Sequence, residues 1–484
     1  MNRSGKEPIS ILLVSCYELG HQPAGISLPL GFLRRAGHKA ETMDVSVECV
    51  DAEKILGADF IGISVPMHTA LRLGVKIAEQ IRGINPPCHI CFYGLYASLN
   101  ADYLLDCVAD SIIGGEYEEA ILALVKAIDA GEAIEVEGVT TKRRRSLPVL
   151  ARLNFNAPDR STLPPIERYA KLDYRGEHRL AGYAEASRGC LHLCTHCPIP
   201  PVYNGRFFIV PQAVVLENIR RLVAEGAQHI TFGDPDFLNG PTHSLRLVRA
   251  MHLEFPEITF DFTAKVEHII KHSDLIEEFA AQGCLFVVSA VESLSDTVLS
   301  HLEKGHTRQD VSEALRILRG AGITLRPSFV AFTPWTNIDD YIDLVEFVEA
   351  NGLIDHVDPI QYSIRLLVPP GSILLEREET RNWIGPLNQE AFSYIWSHAD
   401  ARMDRLYKDV ATLVEHSARR NEDPAETFYR IRELAYAAKE ASPPARTTKL
   451  SPLRRRPPRL TEAWFCCAEP TEDQFGSLEK RAGI

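Results

Sequence analysis

Cys190, Cys194 and Cys197 fall within the stretch Ser187-Arg188-Gly189-Cys190-Leu191-His192-Leu193-Cys194-Thr195-His196-Cys197-Pro198. Soft thiolates at C-x3-C-x2-C spacing suit an iron–sulfur cluster, each ligating one iron of a cubane and leaving the fourth iron without a protein ligand. An open iron can take up a small molecule and pass it an electron. Gly189 leaves room at the start of this loop. The same thiols could instead hold zinc, with His192 or His196 contributing. Structural zinc sites more commonly pair two C-x2-C units, and no second pair follows at such spacing. Two further cysteines are adjacent, in Ala463-Trp464-Phe465-Cys466-Cys467-Ala468-Glu469-Pro470. Neighbouring cysteines are strained as a mutual disulfide. They can hold one soft centre or exchange electrons, or they can be small apolar residues that anchor the tail.

Composition bounds what these groups can serve. A chain of 484 residues has room for two or three domains, and 45% hydrophobic with 24% charged residues is the balance of a soluble globular protein. A net charge of −13 argues against nucleic acid as the main partner, because phosphate binding needs a cationic surface. No run approaches the ~18 apolar residues of a membrane span, and Met1-Asn2-Arg3-Ser4-Gly5-Lys6 leads into a strand rather than a signal peptide. Eleven cysteines, an odd number, point to a reducing cytoplasm. The expectation is a cytoplasmic protein with a small-molecule substrate, no nucleic acid and no membrane.

The elements that must position the cysteines follow from periodicity. Residues 1–140 read as a doubly wound α/β unit: apolar strands at Ile9–Cys16, Ala40–Val45, Phe60–Val65, His89–Tyr93 and from Ser111, with amphipathic helices between them, one ending at Gly37. Residues 141–180 read as a linker punctuated by Pro148, Pro158, Pro164 and Pro165. Across 181–380 strands and helices alternate as in a partial (β/α)6 barrel. Its strands are Gly182–Ala186, His229–Phe232, Thr259–Lys265, Leu285–Val291, Gly322–Val330 and Pro359–Tyr362. The first delivers the cysteine loop at its C-terminal end, where barrels place their chemistry. Residues 381–441 read as helical, over Gln389–Glu415 and Glu426–Glu440, and 442–484 as a flexible, basic, proline-rich tail.

The cysteine triplet and its flanks resemble the radical S-adenosylmethionine (SAM) superfamily. So do Phe232-Gly233-Asp234-Pro235-Asp236-Phe237, Ala290-Val291-Glu292-Ser293-Leu294-Ser295, Lys304-Gly305-His306-Thr307 and Pro369-Pro370-Gly371-Ser372. The resemblance implies a 4Fe-4S cluster on Cys190, Cys194 and Cys197 and SAM as cofactor. It also implies SAM contacts from Gly189, Asp234, Asp236, Lys265, Glu292 and Ser293, and an electron donor such as flavodoxin or ferredoxin. Residues 1–140 resemble the cobalamin-binding domain fused to many of these enzymes, which adds cobalamin as a candidate cofactor. The D-x-H-x-x-G motif that supplies an axial histidine is absent: His21 has no matching aspartate and one residue too many before Gly25. The tail resembles that of the subgroup ending in C-C-A-E-P, where selenocysteine can replace the first cysteine, and the three-part layout is similar to the radical SAM enzyme class of arsinothricin biosynthesis. The resemblance implies a transferase that cleaves SAM to a carbon radical, with Cys466 and Cys467 acting on the substrate. One candidate reaction is transfer of the 3-amino-3-carboxypropyl group to thiol-held As(III). The alternatives are a cobalamin-dependent methyltransferase and a non-enzymatic iron–sulfur redox sensor.

Overall fold

The computed structural model describes residues 8–446, 451, 454–462, 476, 479–480 and 483. In the N-terminal part, β1 (Ile11–Ser15), β2 (Ala40–Asp44), β3 (Phe60–Ser64), β4 (His89–Tyr93) and β5 (Ser111–Ile113) form a parallel sheet in the order β2-β1-β3-β4-β5. The short strand β6 (Val139–Thr140) closes it antiparallel. The central strands β1, β3 and β4 are largely apolar because both faces are covered. Leu12, Val14, Ile61, Ile63, Ile90 and Phe92 belong to one core. Ile11, Leu13, Phe60, Cys91, Tyr93 and Ile113 alternate with them and belong to the other.

The second sheet begins inside the stretch read as a linker. β7 (Lys171–Tyr174) and β8 (Glu177–Ala184) make a hairpin through Arg175 and Gly176, both at positive φ. β9 (Ser187–Gly189) and β10 (Phe207–Ile209) pair antiparallel and bracket the cysteine loop. Then β11 (His229–Phe232), β12 (Thr259–Thr263), β13 (Cys284–Glu292) and β14 (Thr324–Phe329) add in parallel, giving the half-barrel order β14-β13-β12-β11-β8-β7. One core of aliphatic and aromatic side chains fills the space between this sheet and its helices.

Three expectations change. Pro359–Ser363 is a 3-10 turn, not a sixth strand. Pro359 cannot donate to a ladder, and the free N–H of Phe329 on β14 is taken by the Gln361 side chain at 2.9 Å. The sixth position is held by a single parallel bridge between Phe332 and Arg365. Second, the region after 381 is not helical from Gln389: β15 (Ile384–Asn388) and β16 (Ser393–Trp396) form a hairpin first. The helices run over Ala401–Arg419 and Pro424–Ala438, started by the Asp400 and Asp423 side chains. Third, the basic segment near 455 is docked rather than loose. Arg454 pairs with Asp355 and Asp423 at 2.6 and 2.7 Å, and β17 (Arg459–Leu460) adds antiparallel to β7. Among the described residues no helix is long and apolar enough to cross a membrane.

One buried cation joins the two sheets. Arg188 on β9 is 8% exposed, and its guanidinium meets Glu116 at 2.9 Å, Glu118 at 2.6 Å and Glu185 at 3.2 Å. Glu116 also accepts from the Tyr203 hydroxyl at 2.9 Å. Burial raises the Glu116 carboxyl above its usual range in spite of Arg188. Removing one partner of a buried ion group strands the others, at a cost of about 3–5 kcal/mol. Arg188→Met is therefore expected to lower the unfolding free energy by that order. The deficit should grow as pH rises: a carboxyl raised in the folded state holds a proton that favours folding at low pH, and that contribution is lost above its folded pKa. Denaturant melts at pH 5 and pH 8 check this, and coincident curves for variant and parent would remove the argument.

Candidate active site

The C-terminal ends of the parallel strands of both sheets face one cavity of about 460 Å³. The N-terminal domain contributes Leu19, His21, Ser64, Gly94 and Tyr117, and the half-barrel contributes the cysteine loop, Asp234, Lys265, Glu292 and Lys304. Open α/β sheets take ligands at this edge because successive loops diverge there. Cys190, Cys194 and Cys197 all line the cavity, and none is in a disulfide. Their loop is tied down at its far end: Thr195 donates through N to Leu302 O at 3.2 Å and through Oγ1 to His301 O at 2.9 Å. Asn239 donates to Cys190 Sγ at 3.6 Å.

Gly189 has φ +74. A Cβ there would lie 2.4 Å from Arg206 O and 2.6 Å from the Tyr203 ring, so both conformation and space require glycine. Gly233 is similarly confined, with Tyr183 in the space that a Cβ would take.

Glu292 ends β13 at φ +63, an uncommon conformation for a side-chain-bearing residue, where the ladder shifts register between Ala290 and Glu292. It is 5% exposed. Its Oε1 receives Lys304 Nζ at 3.2 Å and lies 3.3 Å from His196 Nε2. Burial alone would push this carboxyl up, yet Lys304 and His196 bring it down to about 2. Lys304 is in turn raised: burial opposes its charge, and Glu292, Cys194 and Cys197 outweigh burial. Lys304 and the three thiols line the same cavity.

The other residues singled out in the sequence divide. Asp234 uses both oxygens on the base of β9, accepting from Ala186 N at 2.9 Å and from the Ser187 hydroxyl at 2.5 Å, and burial pushes its carboxyl up to about 7. Its contacts make it a positioning residue for the cysteine loop. Asp236 accepts from Leu238 N through Oδ1 and turns Oδ2 toward His192 and His268. Lys265 Nζ lies 3.1 Å from His192 Nδ1 and 3.3 Å from Glu267. Ser293 Oγ accepts from Ser295 N at 3.1 Å and does not line the cavity, although its neighbour Glu292 does. Cys466 and Cys467 lie outside the described residues. The chain leading to them reaches the cavity wall at Leu460 and Glu462, with Glu462 accepting from the Tyr17 hydroxyl at 2.9 Å.

Sequence reasoning passed over Asn239, Arg188 and His268. Lys304, past the end of β13, was marked in the sequence only by its place in Lys304-Gly305-His306-Thr307. His21 is more than a solvated loop residue. It is buried in the cavity wall, its ring 4.9 Å from that of Tyr183, and burial pushes its imidazole down to about 4.

Comparison with known proteins agrees with this geometry. Hopanoid C-3 methylase of Methylococcus capsulatus is 23% identical over 65% of this chain and 62% of its own length. A tRNA-2-methylthio-N(6)-dimethylallyladenosine synthase of Chlorobium luteolum is 31% identical over 34% of this chain and 39% of its own length. The chain thus spans less than two thirds of either relative. Among solved structures, the cobalamin-dependent SAM radical enzyme OxsB with aqua-cobalamin bound superposes with a TM-score of 0.69 at 18% identity, covering 85% of this chain and 67% of that one. The radical SAM methyltransferase TsrM of Kitasatospora setae, with cobalamin and a [4Fe-4S] cluster bound, gives 0.58 at 19% identity, covering 72% and 74%. At these identities the two structures establish a shared fold across both domains. Residues 185–348 match the radical SAM superfamily model, and over them this chain carries a radical SAM domain.

Proposed function

We propose that this protein is a radical SAM enzyme that reductively cleaves SAM in the cavity between its two α/β domains and transfers a carbon group from it. The observation that carries this reading is the convergence of three undisulfided thiols on a cavity shared by both domains. The donor set fits a 4Fe-4S cluster: three soft ligands from one loop, beside an ammonium that offsets thiolate charge. Held by Cys190, Cys194 and Cys197, such a cluster would supply the single electron that splits one carbon–sulfur bond of SAM into a thioether and a carbon radical.

The chain's own residues prepare the site. Gly189 and the Asp234 anchor on β9 set the loop, and Lys304 holds Glu292 ionised in the wall. Lys265 offers a cation for the SAM carboxylate, and Glu292 offers a fixed acceptor for its donor groups. Asp236 lines the same wall, and Ser293 follows Glu292 without lining it.

Two transferred groups are in view. Transfer of the aminocarboxypropyl unit to As(III) held by Cys466 and Cys467 is favoured by the tail's approach. Glu462 stands at the cavity, and four residues of extended chain reach at most about 14 Å. Methyl transfer through cobalamin is favoured by the N-terminal sheet, whose strand ends form the facing wall. In that case His21 is the imidazole at the turn after β1, and it faces Tyr183 across the domain boundary. An electron donor such as flavodoxin or ferredoxin completes either reaction.

Anaerobic reconstitution, then SAM with dithionite and mass spectrometry of the fragments, tests the proposal. Loss of turnover and of about four irons per chain is expected for Cys194→Ala, and intact SAM with the parent enzyme would overturn the reading. Methylthioadenosine without 5′-deoxyadenosine indicates aminocarboxypropyl transfer, and the Cys466→Ser/Cys467→Ser variant should then lose turnover with arsenite. Cobalamin retained through purification, with a methylated product, selects the other arm. Glu292→Gln removes a charged hydrogen-bonding group worth about 1.5–3 kcal/mol. It should weaken SAM binding about tenfold to a hundredfold, as read by equilibrium dialysis of the holoprotein, and unchanged SAM affinity would place Glu292 outside the binding wall.

A further inference from the structure

Beside the cysteine loop, three side chains from three elements converge on one point. His192 lies between Cys190 and Cys194, Asp236 follows β11, and His268 sits on the helix Val266–Lys271. Asp236 Oδ2 is 3.3 Å from His192 Nε2 and 2.8 Å from His268 Nδ1. All three atoms lie within 4.8 Å of one another. Asp236 and His268 are buried, and each of the three atoms is shielded from water and lacks a hydrogen bond of acceptable geometry. A buried carboxylate oxygen flanked by two imidazole nitrogens is matched either by protons on the rings or by one cation that takes the place of those protons.

A second histidine–aspartate pair in the same sheet shows what a purely structural arrangement looks like. His229 Nε2 lies 2.8 Å from Asp261 Oδ1, its Nδ1 lies 2.8 Å from Thr259 Oγ1, and Thr231 donates to the same Asp261 oxygen at 2.7 Å. Every one of those polar atoms is satisfied. The His192–Asp236–His268 group differs in that two imidazoles crowd one carboxylate oxygen without hydrogen-bond geometry, while Asp236 Oδ1 is fixed by Leu238 N at 3.0 Å and leaves only Oδ2 to turn inward.

We propose that His192 Nε2, Asp236 Oδ2 and His268 Nδ1 form a mononuclear site for a divalent transition-metal ion, zinc or ferrous iron, distinct from the cysteine-ligated centre. Two imidazoles and one carboxylate suit these ions rather than magnesium or calcium, which prefer all-oxygen shells. Metal–ligand bonds of 2.0–2.1 Å at tetrahedral angles place ligand atoms roughly 3.3 Å apart. The His192–Asp236 separation already has that value, the His268–Asp236 separation must open by about 0.5 Å, and the two histidine nitrogens, within 4.8 Å of each other, must settle at the same spacing. Coordination through Nε2 puts the His192 proton on Nδ1, where Lys265 Nζ now stands. Lys265 then turns to Glu267, whose carboxylate is already 3.3 Å away. His192 and Asp236 line the cavity, while the three ligand atoms themselves are turned away from its water. The ion would pin the middle of the cysteine loop to β11 and to the following helix.

Metal analysis of the full-length holoprotein tests this. After anaerobic cluster reconstitution, zinc loading and desalting, zinc, iron and acid-labile sulfide are measured per chain, with zinc-edge X-ray absorption on the same sample. The expected result is one metal beyond the cluster, counted as zinc plus iron in excess of sulfide, with a nitrogen/oxygen shell and no zinc–sulfur scattering. His268→Gln should lose that one equivalent while keeping cluster iron and sulfide, and His268→Glu, which restores a ligand, should regain it. No extra metal in the parent, a zinc–sulfur shell, or full retention in His268→Gln would each overturn the site. If His268→Gln loses its cluster as well, the parent's absorption shell decides the matter alone.

Discussion

The buried guanidinium of Arg188 is the interaction on which the arrangement of this molecule turns. It sits two residues before Cys190, yet its partners Glu116 and Glu118 belong to the N-terminal domain. The residue that starts the cysteine loop is therefore also the residue that registers one domain on the other. Burying one cation among three carboxylates gives little net stability against an apolar alternative, but it penalises any displacement that separates them. Tyr203, just beyond the loop, donates to the same Glu116, so both flanks of the cysteines are referred to one acidic residue across the boundary.

The far side of the loop is governed by a second buried pair, Lys304 with Glu292. Glu292 occupies a left-handed conformation that its side chain disfavours, and the cation that holds it there also stands near Cys194 and Cys197. Backbone strain, an ion pair and thiol charge are thus coupled in one small volume, where low dielectric strengthens each electrostatic contribution. The two pairs divide the work: Arg188 sets where the loop begins, and Lys304 holds Glu292 ionised in the wall of the cavity that the thiols share.

The sequence made legible what depends on local pattern. C-x3-C-x2-C needs no tertiary knowledge to read, and neither do the apolar runs Ile11–Ser15 and Phe60–Ser64, which must be strands buried on both faces. The readings that changed are those set by distant partners. Pro359–Ser363 has strand-like composition but gives its backbone partner away to the Gln361 side chain, and Ser393–Trp396 pairs with β15 in a hairpin that Tyr394 N ties to Val368 O, 26 residues earlier. Asp234 and Asp236 were recognisable as important acids, but not as a loop anchor and a histidine partner. That distinction depends on β9 and on His268 arriving from elsewhere. His268 itself carries no local mark among seventeen histidines.

The basic tail shows how a segment of disordered composition is recruited by the edge of a sheet. β7 is an edge strand with free backbone groups, a place where another strand readily adds, and Arg459–Leu460 fills it. Arg459 lies 3.5 Å from Asp173 on β7 and 3.6 Å from Asp358 at the cavity wall, so charge complementarity sets the register that the short strand alone could not. Two residues later Glu462 packs on Gly20, at φ +72, where a Cβ would approach to 3.0 Å, and takes the Tyr17 hydroxyl. The turn after β1 is thereby shaped to receive the tail. Whatever the residues beyond Glu462 carry is delivered from a point held by the half-barrel through β7 and by the N-terminal domain through Tyr17, at the mouth of the cavity that the three cysteines face.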